Sequence, residues 1–313
     1  MAVVAWMARA DIGPMSSAQV VVPAPTAEGR SSARVASVAA ILASTLSSQL
    51  GAGLGARAFP AIGPVGVVAV RQLVAAAVLV PVARPSLRRM TWAQWWPALA
   101  LALVFGTMNL SLYTAIERIG LGLAVTLELV GPIAIALAAS RTRVHLLTGV
   151  LAAVGVYVLV LPGPSSDYLG IGLALLAAAC WAAYIMLNRV LGQRLPGLAG
   201  PAVATSVSSA AFLPVAAVLA TQGRFTGAAL AYAVAAGVLA SVVPYAADLT
   251  VLRRVPPRLF GVFMSIHPVW AALVGLVLLG QTPAVNEWIG IAIIVATNAI
   301  AVAGRDRSTV AAA

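Results

Sequence analysis

The sequence predicts an all-α integral membrane protein with ten transmembrane helices, arranged as two inverted five-helix repeats with both termini in the cytoplasm. Three observations carry that prediction. The chain is 62% apolar and 9% charged, its apolar runs are each near 20 residues long with short polar breaks between them, and one segment recurs 136 positions later. Soluble domains carry about 25% charged residues. At 313 residues, this chain has too little polar surface to cover itself in water, and the bilayer is the solvent that removes the need.

Apolar runs bounded by Arg, Pro, Gly or Ser place the helices at about 35–54, 61–81, 94–113, 120–139, 144–162, 169–188, 200–220, 227–249, 259–280 and 285–304. The connecting segments are short and leave no room for a soluble catalytic or ligand-binding domain. Function is therefore expected inside the membrane. Residues 1–33 are Pro/Ala/Ser-rich, and their apolar start, MAVVAWMA, is too short and lacks a preceding basic region for a signal peptide. The expected organisation is a mobile cytoplasmic tail over 1–33, a first repeat over 34–163, a second, inverted repeat over 164–304, and a cytoplasmic tail over 305–313.

The 19 basic residues are all arginine. Without lysine there is no Walker lysine for nucleotide phosphates and no Schiff-base lysine, which excludes an ATPase engine of that type and a retinal-type pigment. The single cysteine, Cys180, excludes an intrachain disulfide, and with two isolated histidines it makes no metal cluster; no cofactor is expected. The net charge of +11 could suggest nucleic acid, but the arginines are sorted by side. Fifteen fall on one side: Arg9, Arg30, Arg34, Arg84, Arg88, Arg89, Arg141, Arg143, Arg189, Arg194, Arg253, Arg254, Arg258, Arg305 and Arg307. Three fall on the other (Arg57, Arg118 and Arg224), and Arg71 lies within the second helix. That is a positive-inside signal, which places both termini in the cytoplasm and supports an even number of spans. The basicity is an orientation signal, so no nucleic-acid partner is expected.

Residues 112–137 (LYTAIERIGLGLAVTLELVGPIAIAL) align without a gap to 248–273 (DLTVLRRVPPRLFGVFMSIHPVWAAL). Thr114 meets Thr250, Arg118 meets Arg254, Leu123 meets Leu259 and Pro132 meets Pro268. In each half the match covers the end of the third helix, a loop and the fourth helix. With five helices per half, the second copy enters from the opposite side, which is the inverted-repeat plan of secondary transporters.

An ionised side chain at mid-membrane costs roughly 2.5–3.5 kcal/mol on insertion scales, so each one needs a partner, a cavity or a change of protonation. Arg71, Glu128 and Asp248 are the three such positions. Ser241, Pro244, Tyr245 and Asp248 share one face of the eighth helix, Asn109 and Tyr113 one face of the third, and Trp181, Tyr184 and Asn188 one face of the sixth. Two readings stay open for these stripes: packing between helices, or the lining of a water-accessible pocket. Glu128 precedes Pro132 by four residues, so a carbonyl in that turn lacks its usual donor. A buried pair of Arg71 with Glu128 or with Asp248 is the structural alternative to a binding role. His267, directly before Pro268, is a candidate titrating gate or a hydrogen-bonded packing residue.

These residues resemble the drug/metabolite transporter superfamily with paired EamA domains, and within it the threonine/homoserine exporter type. The resemblance spans about 35–304 and is carried by SSQLGAGLGARAFPAIGPVGVVAVR (47–71), GTMNLSLYTAIERIGLGLAVTLELVGPIAIAL (106–137), ACWAAYIMLNRVLG (179–192) and VVPYAADLTVLRRVPPRLFGVFMSIHPVWAALVGLVLLGQT (242–282). LELVGP and ACWAAY are its more specific parts. The resemblance implies an inner-membrane exporter of small hydrophilic amino acids driven by proton exchange; the expected carrier works by alternating access as a monomer or homodimer, and the sequence has no HExxH pattern or nucleophile–base pair to suggest an enzyme. It implies that Gln49, Arg71, Asn109, Glu128, Trp181 and Tyr184 match the family's pattern, with Asp248 where glutamate is usual; His267 and Gln281 each replace a common glutamate.

On that basis the expected substrate-binding residues are Gln49, Arg71, Asn109, Tyr113, Glu128, Trp181, Tyr184 and Asp248, and the expected proton-coupling residues are Glu128, Asp248 and His267. An anion would meet the substrate's ammonium and Arg71 its carboxylate. Export of drugs or organic cations is the alternative, with Trp181 and Tyr184 as an aromatic face; the fixed charge of Arg71 argues against it.

Overall fold

The computed structural model describes residues 27–139, 143–161, 166–244 and 264–310. These residues are helical and contain no strand. In chain order the helices are α1 (Ala27–Arg57), α2 (Phe59–Ala83), α3 (Trp92–Ile119), α4 (Leu121–Glu128), α5 (Val130–Ala139), α6 (Arg143–Val160), α7 (Tyr168–Gly192), α8 (Ala199–Thr221), α9 (Gly227–Gly237), α10 (His267–Leu279) and α11 (Val285–Val310). Five helical stretches are long and apolar enough to cross a membrane: Val38–Arg57, Phe59–Ala83, Trp92–Ile119, Tyr168–Gly192 and Ala199–Thr221. Shorter apolar stretches occur at Leu121–Ile135, Leu146–Val160, Gly227–Val242, His267–Leu279 and Val285–Ile300.

Local chemistry accounts for the ends and breaks. Thr91 and Gln94 form a capping box that starts α3, and the Thr226 hydroxyl accepts from the Ala229 amide at the start of α9. Gly63, with φ of 66° just before Pro64, interrupts the first turns of α2, a conformation open to glycine at no steric cost. The run predicted as one helix over 120–139 divides at Leu129 into α4 and α5. Pro132 explains the division, because it withholds an amide from the Glu128 carbonyl four residues earlier. The helix predicted over 227–249 is α9, continued by a π-turn over Val238–Val242, whose closing Val243 amide reaches the Val238 carbonyl.

The packing is reciprocal. α1 lies against α9 and α10, α2 against α8 and α9, α3 against α7 and α8, α4 against α7 and α10, α5 against α7, and α6 against α11. Small residues make the closest approaches. A Cβ on Gly51 would come within 2.7 Å of the Ala240 backbone nitrogen in the π-turn. Gly131 on α5 lies against the Ala178 carbonyl on α7. Between helices in lipid there is no hydrophobic drive, so close backbone approach and dispersion hold the bundle together. Tyr113, Ile62, Val67, Ile116, Leu121 and Leu127 form part of the central apolar core.

Candidate functional site

A cavity of about 130 Å³ lies where α1, α2, α3, α4, α7, the π-turn and α10 meet. Its wall includes Gln49, Arg71, Asn109, Glu128, Trp181 and His267, six of the residues singled out in the sequence. Ser48, Ala52, Met108, Leu112, Val125 and Ala240 complete it. A larger groove of about 640 Å³ among α3, α7 and α8 carries no charged side chain, and its Ser111 and Thr114 hydroxyls donate to carbonyls of their own helix. Charged side chains line the smaller, central cavity and a pocket of about 330 Å³ that includes Glu117, Arg118, Gln281 and Glu287; the central one gathers the residues singled out in the sequence.

Arg71 is held from the side of the π-turn. Its Nε donates to the Ser241 hydroxyl at 3.0 Å, its Nη2 donates to the Ala240 carbonyl at 2.9 Å, and its guanidinium lies 5.4 Å from the centre of the Tyr113 ring. The local sequence explains this. Pro244 has no N–H to offer Ala240, its acceptor in an α-helix, and the guanidinium meets that carbonyl instead. Among the described residues Arg71 makes no ion pair; the ion pair that forms there is Arg118 with Asp167, at 2.9 Å. The Arg71–Glu128 pairing weighed in the sequence is thus replaced by Arg71 bonded to backbone and hydroxyl, with Glu128 elsewhere on the same wall. π-Turns of this kind recur at functional sites.

Glu128 is the last residue of α4, at the break before α5, and is 8% exposed. Asn109 donates through Nδ2 to the Phe105 carbonyl one turn back, which leaves its amide oxygen for other partners. Gln49 Nε2 lies 2.6 Å from His267 Nδ1, joining α1 to α10. The Trp181 ring stands edge-on to that imidazole, with centres 6.4 Å apart.

Two predicted residues, Tyr113 and Tyr184, lie elsewhere. Tyr113 is fully buried beneath Arg71 and beside Phe59, so it supports the guanidinium from behind and does not line the cavity. Tyr184 packs against Phe105, ring centres 5.4 Å apart, in a second apolar cluster. The stripe of Trp181, Tyr184 and Asn188 therefore divides: Trp181 faces the cavity, and the Asn188 amide donates to the Tyr184 carbonyl. Asp248 and Tyr245 lie outside the described residues. Gln281, the second departure from the family pattern, is not on the central wall. Its Oε1 accepts the Leu121 amide at 3.0 Å, tying the end of α10 to the start of α4.

The roles of the Ala240 carbonyl and of the π-turn were not read from the sequence; the available signal was the Ala-x-x-x-Pro spacing from Ala240 to Pro244. At the end of the bundle that carries Arg118, Asp167 caps α7. Its carboxyl is held below its usual range first by the Gly170 amide and then by Arg118.

Comparison with known proteins follows the same lines. The description "EamA-like transporter family" matches residues 168–303. The threonine/homoserine exporter RhtA of Salmonella typhimurium (strain LT2) is 37% identical over 238 residues, covering 74% of this chain and 79% of that protein. Its Escherichia coli (strain K12) namesake is 34% identical over the same span and coverage. A solved crystal structure at 22% identity superposes with a TM-score of 0.54 over 87% of this chain and 96% of its own, and so shares the fold. The chain belongs to the EamA-like transporter family, as a multi-pass inner-membrane transporter and not an enzyme.

Proposed function

We propose that this protein exports small amino acids of the threonine/homoserine class by proton antiport and alternating access, through ten spans built as two inverted five-helix repeats with both termini cytoplasmic. The observation that carries this reading is the central cavity, where a guanidinium and a carboxyl stand on one wall and form no ion pair with each other. A zwitterion requires that arrangement: Glu128 meets the ammonium and Arg71 the carboxylate. Arg71 commits Nε and Nη2 to the scaffold, and Nη1 is the edge that remains for cargo. The names of the relatives support the substrate class.

The reciprocal packing supports the repeat. Under the 136-residue offset α2 corresponds to α8, and Gln72 Nε2 donates to the Ser208 hydroxyl at 3.0 Å across that pair, between positions separated by the offset itself. A contact between equivalent positions lies on the axis that relates the two halves. The other contacts follow the same exchange: α1 with α9 mirrors α7 with α3, and α2 with α9 mirrors α8 with α3.

Cargo size separates the two transport readings. Pockets for drug-sized ligands hold about 300–1,000 Å³, whereas this one holds about 130 Å³ and carries a fixed cation. Both features favour a small zwitterion over a lipophilic cation. In the proposed cycle, protons arriving from outside at Glu128 or Asp248 displace the ammonium and reset the carrier. The test is efflux of labelled threonine or homoserine from proteoliposomes, which should accelerate under an inward proton gradient. Absence of protein-dependent flux for every amino acid tried would overturn the assignment.

A further inference from the structure

Helices α7 and α8 each pack along α3 but scarcely touch each other, and the space left between them is the apolar groove of about 640 Å³. One face of α3 is its floor: Leu99, Leu103, Gly106 and Leu110 follow at spacings of four and three. Leu173 and Leu176 of α7 and Val207 and Phe212 of α8 form the sides. From Leu99 to Thr114 the lining covers about 22 Å of helix, and one leaflet of hydrocarbon is roughly 15 Å deep. The Ser111 and Thr114 hydroxyls donate within α3 and the Ser208 hydroxyl accepts from Gln72, so these polar groups are already engaged. A concave apolar surface in a bilayer is filled by hydrocarbon chain, because an empty gap forfeits the dispersion contacts of its walls.

The same stripe continues toward the start of α3. Trp96 and Trp92 precede Leu99 at spacings of three and four, and both rings are exposed. Over Trp96 stands a cation: the Arg194 guanidinium is 5.3 Å from the ring centre. Two bonds fix it there. Arg194 Nη1 donates to the Ala93 carbonyl at 2.6 Å, and the Gln94 amide donates to the Arg194 carbonyl at 2.9 Å. Arg88 and Arg89 are exposed in the single turn Leu87–Arg89, just ahead of α3. Residues 84–98 and 189–198 contain no Asp or Glu, and among the described residues none of these arginines makes an ion pair. Exposed tryptophan beside arginine marks a membrane–water interface. A fixed cation at the mouth of an apolar channel complements an amphiphile with an anionic head.

We infer that this groove binds an anionic phospholipid of the surrounding bilayer, with one acyl chain lying along α3 and the phosphate at Arg194. A second copy of the chain suits the face less well, since a two-fold contact would set groove against groove and enlarge the gap instead of filling it. The inference rests on the membrane setting and is independent of the cargo.

The test is native mass spectrometry of the full-length protein in detergent, titrated with dioleoyl phosphatidylglycerol or with dioleoyl phosphatidylcholine, which have the same chains and differ in net charge. The wild type should bind its first phosphatidylglycerol about fivefold more tightly, the effect of one arginine near an anionic headgroup. Arg194→Gln should bring that ratio below about twofold. Leu103→Trp, at a groove position that is 72% exposed, puts an indole where the chain would lie. It should weaken both lipids by at least about threefold and leave their ratio unchanged. Melting curves identify folded variants, and the wild-type comparison needs none. Equal affinity for the two lipids in the wild type overturns the site. An undiminished ratio in folded Arg194→Gln overturns the headgroup position, and undiminished binding in folded Leu103→Trp overturns the groove. A two-chain species that carries no phosphatidylglycerol and is lost in Leu103→Trp assigns the face to a second copy and overturns the lipid.

Discussion

Arg71 donates through Nη2 to the Ala240 carbonyl at 2.9 Å, at the place where Pro244 withholds the amide that an α-helix would supply. A defect in one helix is thus filled by a charge from another, and the charge is fixed at the cavity wall. Scaffold and site share one guanidinium, which makes its two roles separable by substitution.

Arg71→Ala should lower stability by about 1–3 kcal/mol, the cost of an unpaired buried carbonyl, and should abolish threonine export. Pro244→Ala restores an amide within reach of Ala240. In that background the stability cost of Arg71→Ala should shrink by about 1 kcal/mol, while export stays lost. Thermal unfolding of the four proteins in detergent gives the cycle, and strictly additive costs would show that the carbonyl is not what Arg71 satisfies.

Glu128→Gln keeps the shape of the side chain on the cavity wall and removes the charge. Export should fall at least about tenfold, the size of one lost charge-assisted bond, with the unfolding temperature little changed because Glu128 makes no ion pair among the described residues. Measuring initial efflux beside a melting curve separates the two quantities, and full export by the variant contradicts an ammonium contact at this carboxyl.

Gly51→Ala tests the packing of α1 on the π-turn. Its new Cβ would fall 2.7 Å from the Ala240 nitrogen, where backbone has little room to yield. Overpacking of this kind costs about 1–3 kcal/mol. The shift also moves Ala240 against Arg71, so a drop in export beyond the loss of folded protein is expected when flux is normalised to monodisperse protein.

The Asp167–Arg118 pair lies at the start of α7, and Asp167 is held below its ordinary value by the Gly170 amide and then by Arg118. A depressed carboxyl stabilises the fold above its unfolded value and loses that contribution as pH falls through the folded one. The difference in melting temperature between the wild type and Asp167→Asn should therefore be constant from neutral pH to about 4 and should close below it. A difference that widens on acidification would contradict the stated direction.

The all-helical membrane architecture was legible because lipid imposes simple rules: apolar runs of span length and few polar residues inside. The placement of Gln49, Arg71, Asn109, Glu128, Trp181 and His267 around one cavity follows from the cost of exposing such groups to lipid. What the sequence did not reveal depends on contacts between helices. In lipid the outward face of a helix is as apolar as the packed one, so spacing alone could not tell that Tyr113 supports Arg71 from behind or that Tyr184 turns toward Phe105. The break at Leu129 was foreshadowed by Pro132. The π-turn was not, because the same proline spacing is compatible with an ordinary kink.

The hydrogen bond from Gln72 to Ser208 has a kinematic consequence. When two halves rotate against each other, displacement grows with distance from the axis and vanishes on it. A bond at the fulcrum need not break while the helix ends sweep through several ångströms. It also prevents the halves from sliding apart along the axis. Under the proposed alternating access, with the proposed halves turning about that axis, Gln72 and Ser208 would act as a bearing, and the contacts that move would be those toward the ends, between Arg118 and Asp167 and between Gln281 and Leu121 at one end and between Gln94 and Arg194 at the other.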